Sequence, residues 1–180
     1  MAATFSIDDF KTGISSANIE PARSSLFQVS VSGGQGGSTG FANLKYLCRA
    51  TSIPGLTITP IERQYLGRTV KIPGDITFTE LALTIVNDTD YLIRNSLEIW
   101  MAGINSHETN ERAFADIFGS ETTTIKLEQL NRAGTTTAGG TFQFINAWPT
   151  TVDPIELSFD TASDIEEFTA TFAYQYYTIT

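Results

Sequence analysis

Apolar and polar residues alternate with a period of two over most of this chain, and in one stretch the period lengthens to that of a helix. "LFQVSV" puts Phe27, Val29 and Val31 on one face and Gln28 and Ser30 on the other, which predicts a half-buried strand. Residues 1–24 alternate only weakly and hold Gly13, Ser15, Ser16 and Pro21, so they read as an N-terminal arm ahead of one domain at residues 25–180. Cys48 alternates with Tyr46 and Ala50, a spacing that predicts a thiol packed in a strand. Further on, "IERQY" and "RTVKI" flank Gly67 as the two arms of a hairpin flank its tip.

The segment "PGDITFTELALTIVNDTDYLIRNSLEIW" changes phase twice. Ile76 and Phe78 are apolar on even positions, whereas Leu81, Leu83 and Ile85 are apolar on odd ones. One strand face cannot bury both sets, so a break is expected near Glu80. Ile93, Leu97, Trp100, Met101 and Ile104 then recur at helical spacing and predict an amphipathic helix near residues 89–104 with a core-facing stripe. Asp88 or Thr89 supplies its cap, Asp90 suits the first turn and pairs with Arg94 one turn on, and Gly103 and Asn105 mark the end.

After the helix, "NSHETNERAFADIFGSE" is a polar excursion with one apolar cluster, Phe114, Ile117 and Phe118. "TTTIKLEQL", the turn "NRAGTTTAGG" and "TFQFINAW" predict a long hairpin. "IELSF" and "EEFTATFAYQYY" close the chain. In the latter, Phe168, Ala170, Phe172, Tyr174 and Tyr176 share one face, and Thr169, Thr171 and Gln175 share the other. The sum is a mainly β, antiparallel protein with one packed α-helix, a barrel or a sandwich, and without an internal repeat.

Composition sharpens this picture by exclusion. With 180 residues, 41% hydrophobic and 17% charged, the chain has the balance of a single globular domain. A net charge of −9 argues against binding nucleic acid through its phosphates, which requires a basic face. The single cysteine excludes an intrachain disulfide framework and fits a reducing compartment. The start "MAATFSIDDFKTG" has acids where a signal peptide needs a basic region, and no stretch approaches the roughly 18 apolar residues of a membrane-spanning helix, so a soluble, intracellularly made protein is expected.

The charges are unevenly spread. Arg23, Lys45, Arg49, Arg63, Arg68 and Lys71 stand against Glu62 alone in the first part, while Asp153, Glu156, Asp160, Asp164, Glu166 and Glu167 fill the end, where Lys and Arg are absent after Arg132. Such a chain attracts copies of itself head to tail, the alternative being two ordinary solvated faces.

Catalytic chemistry is not visible. The lone histidine, His107 in "HETNE", has Glu111 where a zinc protease needs a second histidine. "SGGQGGSTG" lacks the lysine of a phosphate-binding loop. Asp164, Glu166 and Glu167 have no evident partner to shift a pKa and read as a solvated face. The expectation is a protein with no catalytic residue, no metal and no cofactor.

The order and wording of "LFQVSV", "LCRATSIPG", "YLGRTVKIPGDITFTELALTIVNDTDY", the helix ending in Trp100, "LEQLNRAG", "INAWPTTV" and "EEFTATFAYQYY" resemble the tail tube proteins of contractile-tailed phages, over residues 24–178. "PGDITFTELALTIVND" and "AWPT" carry the resemblance most strongly, the loops at 32–40 and 105–121 least. It implies hexameric rings stacked into a hollow tube in the virion, inside a sheath and between baseplate and terminator proteins, with an inner β-barrel through which DNA passes without specific binding. The tubes of type VI secretion and of protein-injecting contractile systems share the fold and form one alternative; a monomeric β-barrel ligand carrier is another. Under the resemblance, Thr122, Thr124, Lys126 and Glu128 from one strand and Thr169, Thr171 and Gln175 from another are the expected lumen-facing residues. Lys45, Arg49, Arg63, Arg68 and Lys71 are expected to meet Asp153, Glu156, Asp160, Asp164, Glu166 and Glu167 between subunits or rings.

Overall fold

A computed structural model of the chain describes residues 6–16, 22–33, 40–112, 122–160 and 164–180. Within residues 1–24, α1 (Ile7–Ser16) is a helix. Ser6 and Asp9 close a reciprocal cap: Asp9 N–H donates to Ser6 Oγ at 3.1 Å, and Ser6 N–H to Asp9 Oδ2 at 3.2 Å. None of its residues is buried.

Nine strands follow among the described residues. β1 (Phe27–Ser32), the short helix α2 (Leu44–Leu47) and β2 (Cys48–Thr51) precede the hairpin β3 (Leu56–Tyr65) and β4 (Arg68–Phe78). Then come β5 (Leu81–Val86), α3 (Leu92–Ile104), β6 (Thr123–Leu130), β7 (Thr136–Val152), β8 (Glu167–Ala173) and β9 (Tyr176–Ile179). Seven strands form one antiparallel sheet in the order β1-β6-β7-β8-β5-β2, with β9 also paired to β7; β3 and β4 form a separate two-stranded sheet. The expected break falls where the sequence placed it. β4 ends at Phe78 and β5 begins at Leu81, so the two apolar phases belong to different sheets.

The outermost strands of the large sheet both lie against α2, which touches β1, β2 and β5, so the sheet curls on itself. β7 is long enough to serve both halves of the curl, pairing first with β6 and β9 and then with β8. Asn146, at φ 53°, shifts its phase, and buried positions pass from Phe144 to Ala147 and Pro149. Inside, Val29, Leu81, Leu83, Ile85, Ile125, Phe144, Phe168 and Phe172 form one core with Ile93, Leu97 and Trp100 of α3. The interior is therefore packed with side chains, not hollow.

Several sequence expectations shift by a few residues. α3 starts later than residue 89, because Tyr91 sits in the left-handed region at φ 54°. Asp88 still caps it, accepting the Leu92 N–H at 3.0 Å. Since Asp90 now precedes the helix, Arg94 bonds Glu98 at 3.1 Å instead, and its Nη1 donates to Asp153 O at 2.9 Å. Tyr46 belongs to α2 and is exposed, so only Cys48 and Ala50 keep the strand reading. Residues 155–159 form no strand, and Leu157 and Phe159 are exposed there. A break at Tyr174 and Gln175 turns Tyr176 outward, and Tyr177 packs on the core in its place. Phe114, Ile117 and Phe118 lie outside the described residues.

Candidate assembly surfaces

The side of the sheet that turns away from the core is a polar ladder on β1, β6, β7 and β9. Register places Gln28 opposite Glu128, Ser30 opposite Lys126, Gln143 on the far side of Lys126, and Thr178 beyond Gln143. Thr124, Lys126 and Glu128 alternate with buried Ile125 and Leu127, as expected. Thr122 departs from the set: it lies just outside β6, is buried, and donates to Asn146 Oδ1 at 3.3 Å. Thr169 and Thr171 occupy the outer side of β8, opposite Thr84 and Ala82 of β5, while Gln175 is exposed beyond its end. The two sets thus lie on different parts of the curled sheet, with β7 between β6 and β8.

Glu128 organises the ladder. It accepts Lys126 Nζ at 2.9 Å and Gln28 Nε2 at 2.6 Å. The Lys126 bond, supported by Gln28, holds the carboxyl below its ordinary value although partial burial opposes this. A depressed carboxylate stabilises the fold above its unfolded pKa, and that stabilisation is lost as pH falls through the folded one. Glu128→Gln should therefore cost about 1 kcal/mol at neutral pH. The gap to the parent should close in acid, as read from urea midpoints across pH; a gap independent of pH would mean the pairing contributes nothing.

The charged sets are partly joined already within one chain. Arg49 pairs with Glu167 and Lys71 with Glu62 at 3.4 Å. Glu166 accepts Asn87 Nδ2 at 2.9 Å and the Tyr91 hydroxyl at 3.1 Å, and this acceptor pushes the tyrosine pKa up. Lys45 is exposed on α2, its Nζ 4.8 Å from the Tyr46 ring. Arg63 and Arg68 are exposed on the hairpin, and neither makes an ion pair among the described residues. Asp153, Glu156, Asp164, Glu166 and Glu167 line an open groove of about 920 Å³ together with Arg49, Val86, Pro154, Ile155 and Ile165, while Asp160 is exposed in the adjoining chain.

The hairpin that carries Arg63, Arg68 and Lys71 is also an extended apolar surface, which its alternation did not show. Every residue of β3 and nearly all of β4 are exposed, including Leu56, Ile58, Ile61, Val70, Ile72 and Ile76. Its turn needs positive φ at both central residues, Leu66 at 46° and Gly67 at 79°. At the base, Phe78 packs its ring 5.8 Å from those of Tyr174 and Tyr177, and the Tyr174 hydroxyl donates to Thr79 O at 2.8 Å. A lone two-stranded ribbon is marginal in water, and no other described strand pairs with this one.

Nothing here resembles reaction machinery. Burial pushes the Cys48 thiol up to about 11, so it is protonated at neutral pH. His107 is exposed, and no cluster of three or more potential metal ligands occurs among the described residues. No helix among them is long and apolar enough to cross a membrane.

A packed, curled antiparallel sheet with an exposed ribbon and unequal charge is the build of a structural protein. The chain belongs to the phage tail tube protein family, whose profile matches residues 10–180. It is a structural, non-enzymatic component of the contractile phage tail, and so of the virion. It is 27% identical over 172 residues to the tail tube protein gp19 of Enterobacteria phage T4, covering 95% of this chain and 98% of that one. The fold is similar to a chain of the sheath/tube terminator of an extracellular contractile injection system, PVC (TM-score 0.65, 22% identity, 90% of this chain and 98% of that one). It is also similar to one of the PVC sheath–tube complex (TM-score 0.63, 21% identity, 98% and 99%). Proteins of this fold have thus been solved in sheath–tube and terminator assemblies.

Proposed function

We propose that copies of this chain close into hexameric rings that stack into the inner tube of a contractile tail, with DNA passing through the lumen. The single observation that carries this reading is the pair of open strand edges. Among the described residues β1 pairs only with β6 and β2 only with β5, leaving each an outward side for strand addition between copies. Rotation that closes gives a ring, and six is the number the resemblance implies. The polar ladder around Glu128, with Thr124 and Lys126, supports a wet inner wall. The outer threonines of β8, Thr169 and Thr171, with Gln175, are the second candidate wall. A net charge of −9 suits a conduit, since phosphate contacts would hold the passing genome. Sheath, baseplate and terminator proteins are the partners this tube meets on its outside and at its ends.

Purified protein, alone or seeded with a baseplate initiator, should form rings or tubes visible by negative-stain microscopy. Boundaries with a charged component weaken as salt screens them, at about 0–1 kcal/mol per exposed pair repeated around the ring. The length of the tubes should therefore fall with ionic strength. A sharp monomer by light scattering at every concentration, seeded or not, would sink the tube reading.

A further inference from the structure

Three residues at the start of α3 are at odds with the backbone they occupy. Tyr91 stands at φ 54°, a left-handed angle that a bulky side chain adopts only when its surroundings impose it. Asp88 accepts the Leu92 N–H, four residues on, whereas a capping carboxylate normally reaches the second or third residue beyond it. Asp90 and Arg94 have the spacing and order of a helical ion pair, yet the helix begins between them. All three fit a longer helix that starts at Thr89, with Asp88 as its cap and Asp90 one turn before Arg94.

The shorter helix is imposed by the C-terminal part of the chain, at two points. The Tyr91 hydroxyl donates to Glu166 Oε2 at 3.1 Å, where Asn87 Nδ2 also donates at 2.9 Å, and the Asn87 N–H donates to Glu166 O at 2.9 Å. Arg94 donates through Nη1 to Asp153 O at 2.9 Å, lies 5.4 Å from the Phe168 ring, and turns its Nε to Glu98 at 3.1 Å. Neither set survives unchanged if the helix gains a turn. Bringing Tyr91 to the helical value rotates φ by about 120° and redirects its side chain away from Glu166. Asp90 then competes for Arg94.

We propose that the start of α3 is a two-state latch. In the closed form, the one observed, Glu166 holds Tyr91 left-handed and the Asp153 carbonyl holds Arg94. In the open form α3 begins at Thr89, Asp88 caps it, Asp90 takes Arg94, and the chain is released at both Asp153 and Glu166. The local preferences of residues 88–94 favour the open form and the tertiary bonds the closed one, so a modest change in either moves the balance. Because Asp153 and Glu166 both line the acidic groove, the latch links that surface to the helix carrying Trp100.

The test is hydrogen exchange at the Ile93 and Arg94 amides of the full-length chain, read by mass spectrometry with single-residue fragmentation. The short helix counts both among its first N–H groups, outside its own ladder, whereas the long helix gives them Thr89 O and Asp90 O. Glu166→Ala should therefore slow their exchange about tenfold, although it removes two side-chain hydrogen bonds. A residue that merely braces the fold would move them the other way, towards faster exchange. Adding Tyr91→Gly should abolish the gain, because glycine accepts φ 54° freely and weakens the extra turn. Tyr91→Phe removes only the hydroxyl of a half-buried side chain and should slow exchange about threefold. This milder variant decides the question if Glu166→Ala does not fold. Unchanged or faster exchange in both variants, or a gain that Tyr91→Gly leaves in place, would overturn the latch.

Discussion

Replacing residues 57–77 with a short Gly–Ser turn is expected to leave a folded monomer that no longer polymerises. The hairpin forms its own two-stranded sheet, and among the described residues its strands pair only with each other. Leu56 and Phe78 stand directly across from each other at its base, so a short turn can join them without moving the core. What remains keeps the Phe78, Tyr174 and Tyr177 ring contacts and the seven-stranded sheet. Circular dichroism and the melting temperature should stay close to those of the unassembled parent, while microscopy and light scattering show no tubes even when seeded. Tubes of normal length from the shortened chain would mean that strand addition at β1 and β2 suffices for assembly.

Trp100→Ala should have the largest effect on the subunit itself. Trp100 is fully buried, with ring centroids 6.1 Å from Phe41 and 6.3 Å from Phe172, so it ties α3 both to the segment before α2 and to β8. Truncating a buried aromatic of this size costs about 3–5 kcal/mol through lost burial and the cavity left behind. A domain of ordinary stability has only about 5–15 kcal/mol in all. The variant should unfold at markedly lower urea concentration and give little soluble protein. A loss below about 1 kcal/mol would show that the core relaxes to fill the space.

The residues that made the sequence legible are those whose role is local. Ile125 and Leu127 alternate with Lys126 and Glu128 whatever else the chain does, and the structure buries the first pair and leaves the second half-buried on the opposite side. Ile93, Leu97 and Trp100 recur at helical spacing, and all three are buried. Gly67 permits a backbone few residues adopt, which marked the hairpin tip before its partners were known. Errors cluster at boundaries, where a single backbone angle decides the outcome. Tyr91 at φ 54° delays the helix past Asp90 and moves Arg94 to Glu98.

The sequence by itself determined the class: an antiparallel, non-catalytic protein of the tail tube type, with one core helix and an uneven charge. Which polar residues become neighbours was decided only by tertiary structure. Gln28 and Glu128 are a hundred positions apart and meet because β1 lies beside β6. Arg49 and Glu167 belong to the basic and acidic sets respectively, yet they pair inside one chain. The same holds for exposure. Ile61 and Ile125 look alike as apolar members of alternating strands, but one lies on an uncovered ribbon and the other in the core. Periodicity reports the side of a strand on which a residue stands, because that is set by local backbone geometry. Whether that side is covered depends on where the rest of the chain, or another copy of it, comes to lie.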